Sequence, residues 1–255
     1  MKALVSAFAL LAAVAGADMA TAQTTPAAEV GCTGDVPLAA TAERITYKSR
    51  GRDIEALLFR PTGEANGAGL LLLHGSEGLY EEFPQYEQQV NQLASRGYTV
   101  LVPNYYGASR QDPRTNPLVF DRWREAIGKG LDHLAGMRGI SADKIGLWGF
   151  SLGGRLAMKD VLEGNDAKAL VVVSTGGPLD RGETQTPILL LAGDHDPDQP
   201  VEVMRDWQRT LAERHVTADL QTFSANTPDF TNAAWCDAFD KSRVFFDQKL
   251  LGAAG

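Results

Sequence analysis

Lys144-Ile145-Gly146-Leu147-Trp148-Gly149-Phe150-Ser151-Leu152-Gly153-Gly154 is the stretch from which the fold can be read. Its first half is a short apolar run, as expected of a strand covered on both faces. Its second half is G-x-S-x-G, and the residues from Leu152 to Leu162 that follow have helical spacing. Strand, G-x-S-x-G and helix together form a nucleophile elbow. The serine occupies a strained turn, and the glycines let neighbouring backbone approach. At a helix N-terminus the Leu152 N–H and the helix dipole are placed to stabilise a developing oxyanion. The plainer reading is a glycine-rich turn with an incidental serine, and the strand and helix on either side weigh against it.

Working outward, the apolar run Leu70 to Leu73 ends in His74-Gly75-Ser76-Glu77-Gly78-Leu79. A second oxyanion donor comes from the loop after such a strand, and the Ser76 N–H is the candidate. Downstream, Pro187 to Ala192 is another apolar strand, and it delivers Gly193-Asp194-His195-Asp196 at its carboxyl end. Order and position suit the acid of a triad, with Asp196 preferred to Asp194. An Asp-rich turn capping the helix that begins near Pro200 is the competing reading.

Strand signals recur at Ala56 to Phe59, Gly69 to Leu73, Thr99 to Val102, Lys144 to Trp148, Ala169 to Val173, Ile188 to Ala192 and Ala218 to Phe223. Helical stretches lie between or after them at Tyr86 to Arg96, Phe120 to Met137, Leu152 to Leu162, Val201 to Arg214 and Ala233 to Leu250. This alternation predicts an α/β fold: a doubly wound, mostly parallel sheet with helices on both faces. The 255 residues are 44% hydrophobic and 22% charged, which excludes disorder and coiled coil and suits one domain with a large core. A net charge of -8 disfavours a phosphate-binding surface, so nucleic acid is not an expected partner. No nucleotide fingerprint follows a strand and no metal-ligand spacing is visible, so no cofactor is expected.

Lys2, the apolar run Ala3 to Ala17 and the small residues ending Ala20-Thr21-Ala22 read as a signal peptide over residues 1–22, in preference to a helix of the folded domain. The run is shorter than the roughly 20 residues of a membrane helix, so no membrane association is expected after cleavage. Residues 23–43 read as an N-terminal tail and 44–255 as a single domain. Export to the periplasm or the extracellular space places the two cysteines, Cys32 and Cys236, in an oxidising compartment, where a disulfide is the plain reading. A lipid anchor on Cys32 is the rival, and Glu29 with its polar neighbours separates that cysteine from the apolar run.

From about Tyr47 onward the chain resembles the dienelactone hydrolase family of α/β-hydrolases. The resemblance rests on His74 to Leu79, on Arg96-Gly97-Tyr98-Thr99-Val100-Leu101-Val102-Pro103-Asn104-Tyr105-Tyr106-Gly107, on the elbow, on Gly193 to Asp196 and on the closing helix with Phe245-Phe246. It implies a hydrolase acting on small carboxylic esters or lactones, with Ser151 where namesake members carry cysteine. Serine depends more on a base, because its hydroxyl is far from ionised at neutral pH.

Two departures follow. The family's histidine is expected after the last strand, roughly thirty residues beyond the acid. Here the stretch reads Phe223-Ser224-Ala225-Asn226-Thr227-Pro228-Asp229-Phe230, with Pro228 at that position and no histidine after His215. Proline can neither orient nor deprotonate a serine. His74 is then the first candidate for a substitute base and His195 the weaker one. His133 and His215 fit packing or surface roles better, and Asp229, with an ordinary carboxylate pKa of about 4, matches serine poorly. The second departure is Ala108, where members acting on carboxylated lactones carry an arginine; Arg110 and Arg114 follow shortly after. The alternative function is a non-catalytic relative that keeps the pocket as a small-molecule binding module and has lost the triad histidine.

Overall fold

The computed structural model describes residues 31–109, 111, 116–165, 167–225 and 230–253. The expectations for the signal peptide, Arg110, Arg114, Pro228 and Asp229 therefore lie outside the described residues. From Cys32 onward the chain forms one compact unit. Its elements in order are β1 (Ala40–Ser49), β2 (Arg52–Pro61), β3 (Gly69–Leu73), α1 (Leu79–Glu82), α2 (Glu87–Ser95), β4 (Thr99–Pro103), α3 (Leu118–Ala135), β5 (Ile145–Phe150), α4 (Leu152–Leu162), β6 (Ala169–Val173), β7 (Ile188–Gly193), α5 (Val201–Glu213), β8 (Ala218–Phe223) and α6 (Asn232–Leu251).

The eight strands form one sheet in the order β1-β2-β4-β3-β5-β6-β7-β8. The β1–β2 and β2–β4 pairs are antiparallel, and every later pair is parallel. The apolar runs of the central strands split by strict alternation. Leu71, Leu73, Leu147, Leu170, Val172 and Leu190 face the side covered by α3, α4 and α5, with Trp123, Leu156 and Trp207. Leu70, Leu72, Trp148, Val171 and Leu189 face the side covered by α2 and α6, with Val90, Trp235 and Phe246. Two cores on one sheet explain why these strands carry no polar residue.

The β1–β2 hairpin is a feature that apolar patterning did not reveal. Only the Ala56 to Phe59 portion of β2 reads as a strand, because Ala40–Ser49 is largely exposed and polar. The turn between them uses Arg50 at φ 46° and Gly51 at φ 74°, two left-handed residues in succession, as a tight hairpin requires.

The reading of residues 23–43 as a tail is corrected over its described part. β1 begins at Ala40, and the residues before it are strapped to α2. Gln92 accepts the Val36 N–H and donates to the Val36 carbonyl, both at 2.9 Å, and Ser95 Oγ accepts from the Ala39 N–H at 2.9 Å. Cys32 is bonded to Cys236 in α6, closing a loop across 204 positions. Loss of so long a cross-link is expected to cost about 2–5 kcal/mol. Cys236→Ser should therefore lower the thermal midpoint. A reductant should lower that of the wild type by a similar amount and leave the variant unchanged.

Between α3 and α4 lies a buried charged group unrelated to the elbow. The Asp160 side chain is 0% exposed; Oδ2 accepts from Asn165 Nδ2 at 2.5 Å, while Oδ1 lies 3.8 Å from Arg124 without a hydrogen bond. Burial pushes its carboxyl up to about 7, against the hydrogen bond from Asn165 and the Arg124 charge. A carboxyl raised in the folded state contributes stability that is complete below the unfolded pKa of about 4 and is lost as pH rises through 7. Asp160→Asn removes that dependence. Its stability relative to wild type should rise by about 2–3 kcal/mol between pH 5 and pH 8, read by urea denaturation.

Candidate active site

The carboxyl ends of the parallel strands are level. Leu73 pairs with Gly149, Phe150 with Val173, Val173 with Leu191 and Gly193 with Phe223. The loops carrying His74 to Gly78, Ser151, Ser174 to Gly177 and Asp194 to Asp196 therefore leave one edge of the sheet, where open α/β folds place their sites.

Ser151 sits between β5 and α4 at φ 49° and ψ −120°. A non-glycine residue in such a conformation costs on the order of 1–3 kcal/mol and persists only where its surroundings over-determine it. Here its N–H donates to the Val173 carbonyl at 2.9 Å, and its carbonyl accepts from Thr175 Oγ1 at 2.7 Å and from the Arg155 N–H at 3.1 Å. The glycines are required by contact. A Cβ on Gly149 would stand 2.5 Å from the Gly153 carbonyl oxygen, one on Gly153 would stand 2.4 Å from the His74 oxygen, and one on Gly154 would stand 2.8 Å from the Gly149 oxygen. The serine is half-buried, neither sealed beneath the core nor fully in solvent.

The Leu152 N–H opens α4, and a helix leaves its first amides without intrahelical partners. The Ser76 N–H likewise has no hydrogen-bond partner among the described residues. Because Gly153 rests on the His74 carbonyl, the loop bearing Ser76 and the helix bearing Leu152 are in direct backbone contact. Both expected oxyanion donors belong to this one junction.

Asp196 is 6% exposed, and its Oδ1 accepts the N–H groups of Asp198 at 2.9 Å and Gln199 at 3.0 Å. The capping turn weighed against a triad acid is thus present, and it uses one oxygen of the carboxylate. Oδ2 takes no hydrogen bond among the described residues. Asp194 accepts from the Ala225 N–H at 3.0 Å and lies 3.0 Å from His195 Nδ1; the His195 hydrogen bond, then that from Ala225, hold its carboxyl below the usual range.

No histidine side chain is hydrogen-bonded to Ser151 among the described residues. His195 projects outward with its side chain 73% exposed, paired with Asp194. His74 is 0% exposed, stacked on Tyr105 at 4.0 Å and met edge-on by Tyr106 at 4.9 Å. Its Nδ1 lies 2.8 Å from the Gly75 carbonyl, which can only accept, so Nδ1 carries the proton and Nε2 keeps a lone pair without a partner. Burial pushes this imidazole down to about 4, only partly opposed by the Gly75 bond, and a group so reluctant to hold a proton is a weak base. Of the remaining histidines, His133 stacks on Tyr47 at 5.7 Å, and His215 closes α5 at φ 60°.

Two contributors are invisible to motif reading, Thr175, which holds the serine's carbonyl, and Glu82, which binds the His74–Gly78 loop; Tyr106, which binds the same loop, lies within the Arg96 to Gly107 stretch, which by itself gives it no role. Tyr106 lies in a loop whose position after a strand marks it as a site element. Glu82 gives no signal, since Glu81-Glu82 on a short helix reads as a solvated face.

The fold and the elbow together define an α/β-hydrolase. The chain belongs to the dienelactone hydrolase family, which it matches over residues 54–244. It is 21% identical over 218 residues to the protein called usf of Aquifex pyrophilus, covering 79% of this chain and 92% of that one. Its fold is similar to that of a dienelactone hydrolase-like promiscuous phosphotriesterase from metagenomic libraries, with a TM-score of 0.69 and 16% identity over 83% of this chain and 99% of that one. It is also similar to Thermogutta terrifontis esterase 2, solved phosphonylated by cyclosarin, with a TM-score of 0.61 and 17% identity over 81% of this chain and 94% of that one.

Since Gly153 has backbone on the side where a Cβ would go, Gly153→Ala should destabilise the fold by about 1–3 kcal/mol, the usual cost of overpacking. Chemical denaturation measures the effect. The same exchange at Gly164, where nothing lies within 4 Å, should cost less, although its φ of +97° keeps a residual strain.

Proposed function

We propose that the protein is an exported hydrolase of small carboxylic esters or lactones. The observation that carries this reading is Ser151 held at φ 49° at the mouth of α4, a strained turn with no evident structural purpose unless its hydroxyl does chemistry. In the proposed reaction Ser151 Oγ attacks the carbonyl carbon, and the carbonyl oxygen takes the negative charge between the Leu152 and Ser76 N–H groups. The tetrahedral intermediate expels the alcohol, and water then hydrolyses the acyl-serine. Asp196 is the proposed acid: it follows β7 at the same sheet edge, and among the described residues its Oδ2 takes no hydrogen bond. His74 is the candidate base and His195 the weaker one; neither is hydrogen-bonded to the serine, which makes the expected turnover slow. A hydrolase lacking one triad member still keeps about a thousandfold advantage over water from its oxyanion hole and binding. The Cys32–Cys236 disulfide supports an oxidising compartment, periplasmic or extracellular.

One observation favours the alternative, a small-molecule-binding relative without catalysis: Pro228 stands where the base is expected, and no described imidazole serves Ser151. A fluorophosphonate probe separates the two. Labelling of Ser151, with slow turnover of p-nitrophenyl esters that Ser151→Ala abolishes, is the expected result. A wild type that takes no label, and whose ester background equals that of Ser151→Ala, would sink the enzyme reading.

A further inference from the structure

The loop that carries Ser76 is held from two sides, by Glu82 and by the ring side chains of His74, Tyr105 and Tyr106. The Glu82 carboxylate, in α1, straddles Ser76 in sequence. Its Oε2 accepts the Gly75 N–H at 2.5 Å and its Oε1 accepts the Glu77 N–H at 2.8 Å. Gly75 makes room for it, because a Cβ there would stand 2.7 Å from Glu82 Oε1. On the carbonyl side, Tyr105 OH donates to the His74 oxygen at 2.8 Å, His74 Nδ1–H to the Gly75 oxygen at 2.8 Å and Tyr106 OH to the Ser76 oxygen at 3.0 Å. From the His74 carbonyl to the Glu77 N–H, each backbone polar group has a partner among the described residues except the Ser76 N–H.

A backbone group left unpaired where all its neighbours are paired calls for a reason. Ser76 and Glu77 form a turn between β3 and α1, and the direction of the Ser76 amide depends on how that turn is held. A carboxylate that grips the amides before and after Ser76 fixes the two peptide units flanking it and leaves the amide between them without a partner among the described residues. We propose that Glu82 and Tyr106 are positioning residues that fix the direction of the Ser76 N–H, so that this amide is aligned in advance with that of Leu152. The proposal rests on the hydrolase reading of Ser151 and deepens it. Neither side chain touches the substrate in this arrangement; both act through the loop. Glu82 itself is 3% exposed, so its role is internal to the loop and not a solvated charge.

Glutamine at position 82 cannot accept from both amides, because one of its two terminal groups is a donor. Phenylalanine at position 106 keeps the ring against Trp123 and removes only the hydroxyl. Wild type, Glu82→Gln and Tyr106→Phe are compared by titration of reactive serine with a fluorophosphonate, by kcat and KM on p-nitrophenyl acetate, and by inhibition with a phenylboronic acid, whose serine adduct mimics the tetrahedral anion. The expected result for Glu82→Gln is a fully titratable serine, a kcat lowered about ten- to a hundredfold, a KM nearly unchanged, and a boronate affinity lowered in step with kcat. Tyr106→Phe should shift kcat and boronate affinity in the same direction by a smaller factor. Wild-type kcat and boronate affinity per titrated serine in both variants overturn the proposal, as does a loss of rate that only follows a loss of titratable serine. Should Glu82→Gln fail to fold, Tyr106→Phe decides by the same criteria. A wild type that takes no label overturns this proposal together with the hydrolase reading, whereas a labelled wild type with unaffected variants overturns this one alone.

Discussion

Between Gly153 in the first turn of α4 and the end of β3 there is no space for a methyl group, since a Cβ would stand 2.4 Å from the His74 oxygen and 2.7 Å from the Leu73 oxygen. This backbone-to-backbone contact joins the helix that begins after the serine to the loop that follows the neighbouring strand. It is possible only because the register sets Leu73 beside Gly149, so that both strands end at the same level. Any atom inserted there would separate the Ser76 and Leu152 amides, the two proposed to receive a carbonyl oxygen. The strain at Ser151 is sustained by the same packing, together with bonds from Val173, Thr175 and Arg155. A cost of a few kcal/mol is tolerable on a sheet buried on both faces, where the central strands leave no easy relaxation.

The aromatic wall beside the site has an electrostatic consequence. His74 is clasped by Tyr105 and Tyr106, and its single proton is directed to the Gly75 carbonyl. Removing an imidazole from water disfavours its cation, so the ring stays neutral and acts as a rigid plate supporting the loop. Glu82 lies under the same loop, and burial raises its carboxyl while the Gly75 and Glu77 amides draw it back down. The loop is thus bordered by groups whose charges are either suppressed or committed to backbone amides.

Much of the architecture was legible because burial on both faces leaves a plain mark. β3, β5, β6 and β7 are short apolar runs at parallel-sheet spacing, and α4 follows the elbow without a gap. β1 escaped notice since an edge strand exposed along most of its length has no apolar signature. The Cys32–Cys236 tie was legible from the cysteine count, but the order of the rest of the strap, Val36 to Ala39, escaped notice because it comes from Gln92 and Ser95, distant residues that no local pattern connects to it. Ser151, Ser76, Leu152 and Asp196 could be nominated as candidates because turn chemistry is local. Glu82 and Thr175 could not, because their partners lie in loops reached through other elements.

The amino-acid order alone determined the α/β class and the position of the serine in its glycine-flanked turn, since periodicity and turn chemistry depend only on near neighbours. Only the tertiary structure decided that His74 is buried, neutral and turned to a carbonyl, that His195 stands in solvent, and that the amides around Ser76 are gripped by a glutamate from the following helix. Burial and hydrogen-bond direction are properties of what surrounds a residue in space, and the folded chain brings those surroundings from several separate segments.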